Sequence, residues 1–424
     1  MSSIAEKTRS EQSSIKSVTN FMRQYKIVAD LKRAGAYKQK GVPVLTVISY
    51  LVSLVYIGKS MFEDMRSENP LAQGFRRDVL YRFLNQALVN WQSFLLSIAG
   101  KVVAEFDRLT SDARLTAFVI DDSFYPALYA KATELVSLIH DHAEKGKNKY
   151  KWGFRMLSLC WTDGVSLVPL AFRHLASADE KKQRRGVNPE LDKRSRAYRI
   201  RREAVSKATE VLLLHLKAAQ KAGVVAKHVL FDSWFAYPAT IFKICAMNLH
   251  VTARVKNAAT LKYLVNSEKK TASEIYRGNQ KRRGKSRYLL SVSIMLYTSE
   301  NGMEVTMPAK LVYVRNRAKR KEWIAILTTD TTLSEDEIVA AYGLRWDIEV
   351  FFKVCKSYLK LSKEFQQRNY DAITAHTAIV FIRYIILSVE KRKQEDPRSL
   401  GELFYDSFDE ASGMNFERAI LLVI

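Results

Sequence analysis

Three acidic residues stand where a folded chain could bring them together. Asp121 closes the apolar run LTAFVIDDS and Asp232 closes KHVLFDSWF. Each falls at the C-terminal end of an expected buried strand, where an open α/β sheet places its functional groups. Glu349 lies in YGLRWDIEVFFKVCK, residues 342 to 356. At about 100° per residue, Tyr342, Arg345, Glu349 and Lys356 share one polar stripe. Leu344, Ile348, Phe351, Phe352, Cys355 and Leu359 form an apolar face beside it. Such a helix can lie on a sheet and offer its stripe to the sheet's edge. Carboxylates gathered at one point repel one another, so the cluster persists when cations occupy it. Hard oxygen ligands select Mg²⁺, with Mn²⁺ as a substitute, over Zn²⁺. Two such ions per site can activate a hydroxyl on one side of a phosphorus and stabilise the leaving oxygen on the other, which is phosphodiester chemistry. Plainer uses compete at each position. A strand-end aspartate also caps turns, and Glu349 could pair with Lys353 on a solvated face. Asp122 rivals Asp121, because adjacent residues point to opposite sides of a strand.

The charge balance supports a polyanionic substrate. A net charge of +24 points to nucleic acid first and a membrane surface second. The hydrophobic share of 47% and charged share of 26% describe a chain that folds, not a disordered polycation. Cys160, Cys245 and Cys355 lie far apart without any CxxC pairing, which fits a reducing cytosol and argues against a disulfide framework and a thiolate zinc site. His140-Asp141-His142 lacks a further ligand at metal spacing and is expected to be a solvated helix end. The N-terminus has no export pattern, and Val42 to Ile57 is too short and too interrupted to span a bilayer. No membrane partner and a cytoplasmic, nucleoid-associated location are expected.

The elements that must position these residues follow from periodicity. Helices are expected over Ser17–Ala34, Pro43–Arg66 and Asp78–Glu105. Arg66, Arg76, Arg77 and Arg82 rim the third of them, where they could meet phosphates. From Leu115 the pattern turns to β, and Asp163-Gly164 marks a hairpin between KWGFRMLSLCW and SLVPLAFR. A basic tract from Lys181 to Arg202 leads to a helix near Glu203–Ala222, then a strand, a helix and another strand. The core order is thus β-β-β-α-β-α-β. A β-rich, basic segment from Lys256 to Thr329 separates this core from a helix starting near Ser334. The expected division is a helical DNA-binding domain over 1–110, a catalytic core over 111–255 and 331–395, a β-rich insertion over 256–330, and a C-terminal helical segment over 396–424, possibly truncated.

Tyr342, Arg345, Glu349 and Lys356 have the spacing of the Y-R-E-K signature of DDE transposases of the IS-four superfamily, bacterial insertion-sequence enzymes. The strand-end DDS, the later LFDSWF and the stretch WIAILTTDTTLSEDEIVAAYGLRWDIEVFFKVCK also resemble that family. The resemblance covers roughly 115–384. It implies an α/β, RNase H-like mixed sheet flanked by helices, with an all-β insertion before the last catalytic helix and an N-terminal helical domain. It further implies Asp121, Asp232 and Glu349 as the metal-binding catalytic triad, with Asp121 preferred to Asp122 by the alignment of the motif. Tyr342, Arg345 and Lys356 would contact DNA near the cleaved end, and Lys281, Arg282 and Arg283, with Lys285 and Arg287, would hold it from the insertion. The implied partners are double-stranded DNA, as element ends and target, and a second copy of the chain in a homodimer on paired ends. The implied activity is cut-and-paste transposition through hairpin ends. Two alternatives share the sequence: an RNase H-like nuclease that cuts without joining, and a non-catalytic transposase-derived DNA-binding protein or inhibitor. Trp234, beside Asp232, is expected to pack rather than stack.

Overall fold

The computed structural model describes residues 18, 20–37, 40–57, 60–67, 74–109, 114–141, 149–282, 286–316, 322–364 and 367–393. Arg283, Lys285, His142 and the segment 396–424 lie outside the described residues.

The apolar run before Asp121 forms the first half of β1 (Ala117–Pro126), whose first four residues are all buried. The Asp163-Gly164 hairpin forms between β3 (Tyr150–Thr162) and β4 (Leu167–Leu175). Asp163 Oδ1 accepts hydrogen bonds from the N–H of Val165 at 3.0 Å and of Ser166 at 2.8 Å, and Gly164 takes the φ of +82° that the turn demands. The remaining core strands are β5 (His228–Phe231) and β6 (His250–Arg254). β1 runs antiparallel to β3 and parallel to β5, which is parallel to β6. The spatial order β4-β3-β1-β5-β6 in a mixed sheet is consistent with an RNase H-like fold.

One strand departs from expectation, and the β-rich segment joins the core sheet. β2 (Ser137–His140), expected as the end of a helix, pairs with the start of β3 and puts His140 on a sheet edge. The β-rich segment supplies β7 (Lys262–Val265), β8 (Glu268–Thr271), β9 (Leu290–Glu300), β10 (Met303–Arg315) and β11 (Trp323–Thr328). β11 bonds to β6, with Ile326 opposite Arg254, so these strands extend the core sheet without a break.

The N-terminal helices are shorter than their periodicity suggests: α1 (Ile27–Arg33), α2 (Val44–Ser53), α3 (Met61–Met65), α4 (Arg77–Leu84) and α5 (Trp91–Arg108). The helix expected over Asp78–Glu105 divides where Asn90 caps α5, accepting from the Ser93 N–H at 2.9 Å. Between the strands run α6 (Arg196–Ala204), α7 (Ala208–Lys221), α8 (Pro238–Cys245) and α9 (Ala272–Gly278). Then follow α10 (Glu335–Gly343), α11 (Trp346–Ser357) and α12 (Tyr370–Lys393). Ser334 and Glu337 close a capping box at the start of α10. α12 is long and apolar enough to cross a membrane by composition, yet the whole of its apolar window is buried among α2, α5, α11 and β4. Apolarity all round marks it as the central helix of the core.

Several charges in this basic chain serve the interior. Arg201 sits in the basic tract from Lys181 to Arg202 and is buried, bonding Glu134 at 2.6 and 2.7 Å and Asp371 at 2.8 Å. It thereby joins α6, the loop before β2 and α12. Arg383 of α12 is fully buried and bonds the Val52 carbonyl at 3.1 Å and Glu364 at 2.8 Å.

Buried histidines give the fold an acid-sensitive edge. Burial pushes His174 and His215 down to about 3, helped in each case by the charge of Arg173. An unfolded histidine titrates near 6.5. Below that pH the unfolded chain takes up protons that these folded sites refuse, so their stabilising effect is full above about 6.5 and declines as pH falls. The urea midpoint is therefore expected to be lower at about pH 5 than at about pH 7.5. An unchanged midpoint across that range would contradict the neutral burial of these rings.

Candidate active site

The register of β1 and β5 sets the first two carboxylates. Ile120 lies opposite Phe231 on neighbouring parallel strands, so Asp121 and Asp232 follow side by side. Strand alternation separates Asp121 from its rival. Asp122 pairs with Arg155 of β3, while Asp121 Oδ2 accepts a hydrogen bond from Arg345 Nη1 at 2.9 Å. Asp121 Oδ1 and Asp232 Oδ1 each accept from the next backbone N–H, at 2.8 and 2.6 Å, which orients both side chains.

Glu349 reaches the site from α11, but the helix expected to carry the whole polar stripe is two helices. Leu344 and Arg345 join them, with the Arg345 N–H bonded to Tyr342 and the Ile348 N–H to Arg345, at 3.2 and 3.3 Å. These i to i−3 bonds make a 3₁₀-like joint. Exposed Gly343 precedes it and has weak helix propensity. Because both joint residues keep helical dihedrals, the stripe survives the break.

Arg345 is the hub of the stripe. Its buried guanidinium donates to Asp121 and, through Nη2, to Glu349 Oε1 at 2.8 Å. It lies 5.7 Å from the Tyr342 ring and 5.3 Å from the Trp346 ring. Burial works against its charge, but Tyr342, Asp121 and Glu349 outweigh burial and hold its pKa above the usual range. Asp121 is pushed up to about 7 by burial, with Asp232 and Glu349 adding to the rise and Arg345 opposing it. Burial also raises Tyr342 to about 12, so its hydroxyl stays protonated near neutrality.

Lys356 extends the stripe along β1. Its Nζ donates to Ser123 Oγ at 2.6 Å, and burial holds its pKa below the usual lysine range. The third residue of DDS therefore positions a cation, a use that sequence reasoning missed. Arg155 was missed too, although its register opposite Phe124 follows once β1 and β3 are paired. Lys281 and Arg282 lie elsewhere, over the rings of Tyr276 and Tyr288 at 4.8 and 4.3 Å, beyond α9.

The donor set fits a hard divalent cation. As placed, the three carboxylates do not close on one point, and among the described residues no group of three His, Cys, Asp or Glu side chains does so. The Arg345 guanidinium instead bridges Asp121 and Glu349, a monovalent charge between two oxygen donors. Carboxylates that already share a cation can exchange it for one of higher charge, which would free the guanidinium to face a phosphate.

A mixed sheet with two strand-end aspartates side by side, and a glutamate linked to one of them through an arginine, has the makings of a nuclease-type site. The sequence model of the DDE superfamily endonuclease family matches residues 59–321, more than half of the chain, and the chain belongs to that family. The match takes in Asp121 and Asp232 and ends before Glu349. No curated protein matches the chain. Nucleases of this superfamily generally use divalent metal ions, and DNA is the substrate the family implies.

Proposed function

We propose that the chain is a DNA transposase of the IS-four type. It binds the terminal inverted repeats of its own element, cleaves at their ends and joins the freed 3′ hydroxyls to target DNA. Asp121, Asp232 and Glu349 hold two Mg²⁺ ions, for which Mn²⁺ can substitute. Two ions held there would activate the attacking hydroxyl and stabilise the leaving oxygen. Arg345 grips the phosphate by its fork and Lys356 acts as a point charge beside it. Tyr342 contributes a neutral hydroxyl near the cut. Lys281 and Arg282 hold end DNA at a distance from the cut. Two protomers act on paired ends, and the freed hydroxyl attacks the opposite strand to give a hairpin. The observation that carries this reading is the hydrogen-bonded line from Asp121 through Arg345 to Glu349, set beside Asp232 in a chain of an endonuclease family.

A nuclease that cuts without joining would use the same carboxylates, so products decide between them. Duplexes bearing the element's ends, incubated with Mg²⁺ and supercoiled plasmid, are expected to yield hairpin-ended intermediates and ends joined to plasmid. Cut ends that never join would reject the transposase reading and leave a nuclease.

A further inference from the structure

The basic tract from Lys181 to Arg202 has no part in the reading above, and it ends in a rigid, charged helix face. α6 has the sequence RAYRIRREA and turns Ala197, Arg201 and Ala204 inward, where all three are buried. At about 100° per residue, Arg196, Arg199 and Arg202 fall on the opposite side of the helix. All three are exposed. The buried arginine fixes the platform, since Arg201 holds Glu134 at 2.6 Å and Asp371 at 2.8 Å. Ser195 caps the helix by accepting from the Tyr198 N–H at 3.1 Å. α6 thus presents three guanidinium groups from a helix clamped to the core.

The carboxylates of this region are already engaged. Asp192 pairs with Arg194 at 3.2 Å and Glu203 with Arg173 at 2.6 Å, while Glu134 and Asp371 belong to Arg201. Among the described residues, Arg196, Arg199 and Arg202 make no salt bridge. Exposed Lys193 extends the positive row ahead of the helix. Residues three apart on a helix are neighbours, and like charges there repel, so the row does nothing to hold the fold.

A row of arginines without carboxylate partners suits phosphates. From Arg196 to Arg202 the helix rises about 9 Å, close to three steps of one DNA strand at about 3.4 Å each. Tyr198, the only aromatic residue of α6, is half-buried, so the row lacks the exposed rings that hold unpaired bases. A duplex backbone fits it better. Phosphate contacts carry no sequence, whereas an element's ends must be told from other DNA through base edges. We infer that the outer face of α6, through Arg196, Arg199 and Arg202 with Lys193 beside them, docks the backbone of target duplex DNA. The inference rests on the transposase reading. It adds a surface for the partner whose sequence is not fixed.

Binding in chelator tests the surface without cleavage or joining, so it can fail while the transposase reading stands, or succeed while that reading falls. A labelled random-sequence duplex is titrated into the full chain, with fluorescence anisotropy as the readout, and a duplex bearing the element's end is titrated alongside. The triple substitution Arg196→Gln, Arg199→Gln and Arg202→Gln is expected to weaken random-duplex binding more than about tenfold and to reduce the slope of log affinity against log salt by about 2.7. Lysine at all three positions should restore most of both, because a phosphate accepts either cation. The glutamine variant should keep its urea midpoint, since it removes only exposed like charges. Its affinity for the end-bearing duplex should change much less, and in Mg²⁺ it should still cut that duplex while joining fewer ends to plasmid. Random-duplex affinity and slope unchanged in the glutamine variant would overturn the inference, and so would an equal loss on both duplexes or a loss of cutting as large as the loss of joining.

Discussion

Asp232→Asn or Glu349→Gln is expected to lower Mg²⁺-dependent cleavage of end-bearing DNA by more than about 100-fold, the upper range seen when partners one shell out from a metal are lost. Both substitutions keep the side chain's shape and remove one negative charge where a divalent cation would be held. Asp232 is ordered by the Ser233 N–H at 2.6 Å and Glu349 by Arg345 at 2.8 Å, so either amide can occupy the same place. DNA binding in chelator should survive, because it depends on the chain's excess of cationic groups. Asp122→Asn is the internal control. Asp122 faces Arg155, not Arg345, so its loss should cost much less than that of Asp121. Full activity in the Asp232 and Glu349 variants would remove them from the chemistry, and equal losses at Asp121 and Asp122 would undo the choice between them.

The second large effect concerns the fold. Arg383→Met is expected to destabilise the chain by about 3–5 kcal/mol, the cost of leaving a buried ion without its partner. Glu364 is 4% exposed and Arg383 is fully buried, so no water replaces the lost contact. Burial alone would raise the pKa of Glu364, and Arg383 and His376 together outweigh it and hold the carboxyl ionised. Arg383 also bonds the carbonyls of Leu51, Val52 and Leu359, tying α12 to α2 and to the end of α11. Removing the arginine therefore orphans an anion and the α2 end together. If the anion dominates, adding Glu364→Gln should recover part of the loss. The first unfolding transition in urea measures this, and a midpoint unmoved by Arg383→Met would deny the clasp its role.

The site was more legible in the sequence than the frame around it. Asp121 and Asp232 could be read because each ends an apolar run, and strand ends in a parallel pair share an edge. Helical phase grouped Glu349 with Arg345 even though the helix breaks at the joint, because 3₁₀-like and α-helical turns differ by only a fraction of a turn over two residues. The break itself was illegible: Gly343 weakens a helix but does not require an end. β2 escaped notice because SLIH is too short to show a period, and its pairing with β3 is a long-range choice. The count of basic residues overstates the surface in two places: Arg201 and Arg383 are buried in ion pairs and neither faces a polyanion, while the +24 excess, in which their carboxylate partners are already subtracted, resides on other side chains. The roles of Arg155 and Ser123 were out of reach, because each depends on which element lies beside β1.

Asp121, Asp232 and Glu349 are proposed to form one divalent-cation site, with Arg345 spanning two of its members until the cation arrives. Calorimetric titration of Mn²⁺ into the chain without DNA tests it most directly. Binding should be lost in each of Asp121→Asn, Asp232→Asn and Glu349→Gln, and should strengthen in Arg345→Gln, where no guanidinium has to be displaced. Mn²⁺ affinity that is the same in all four variants as in the unaltered chain would contradict it.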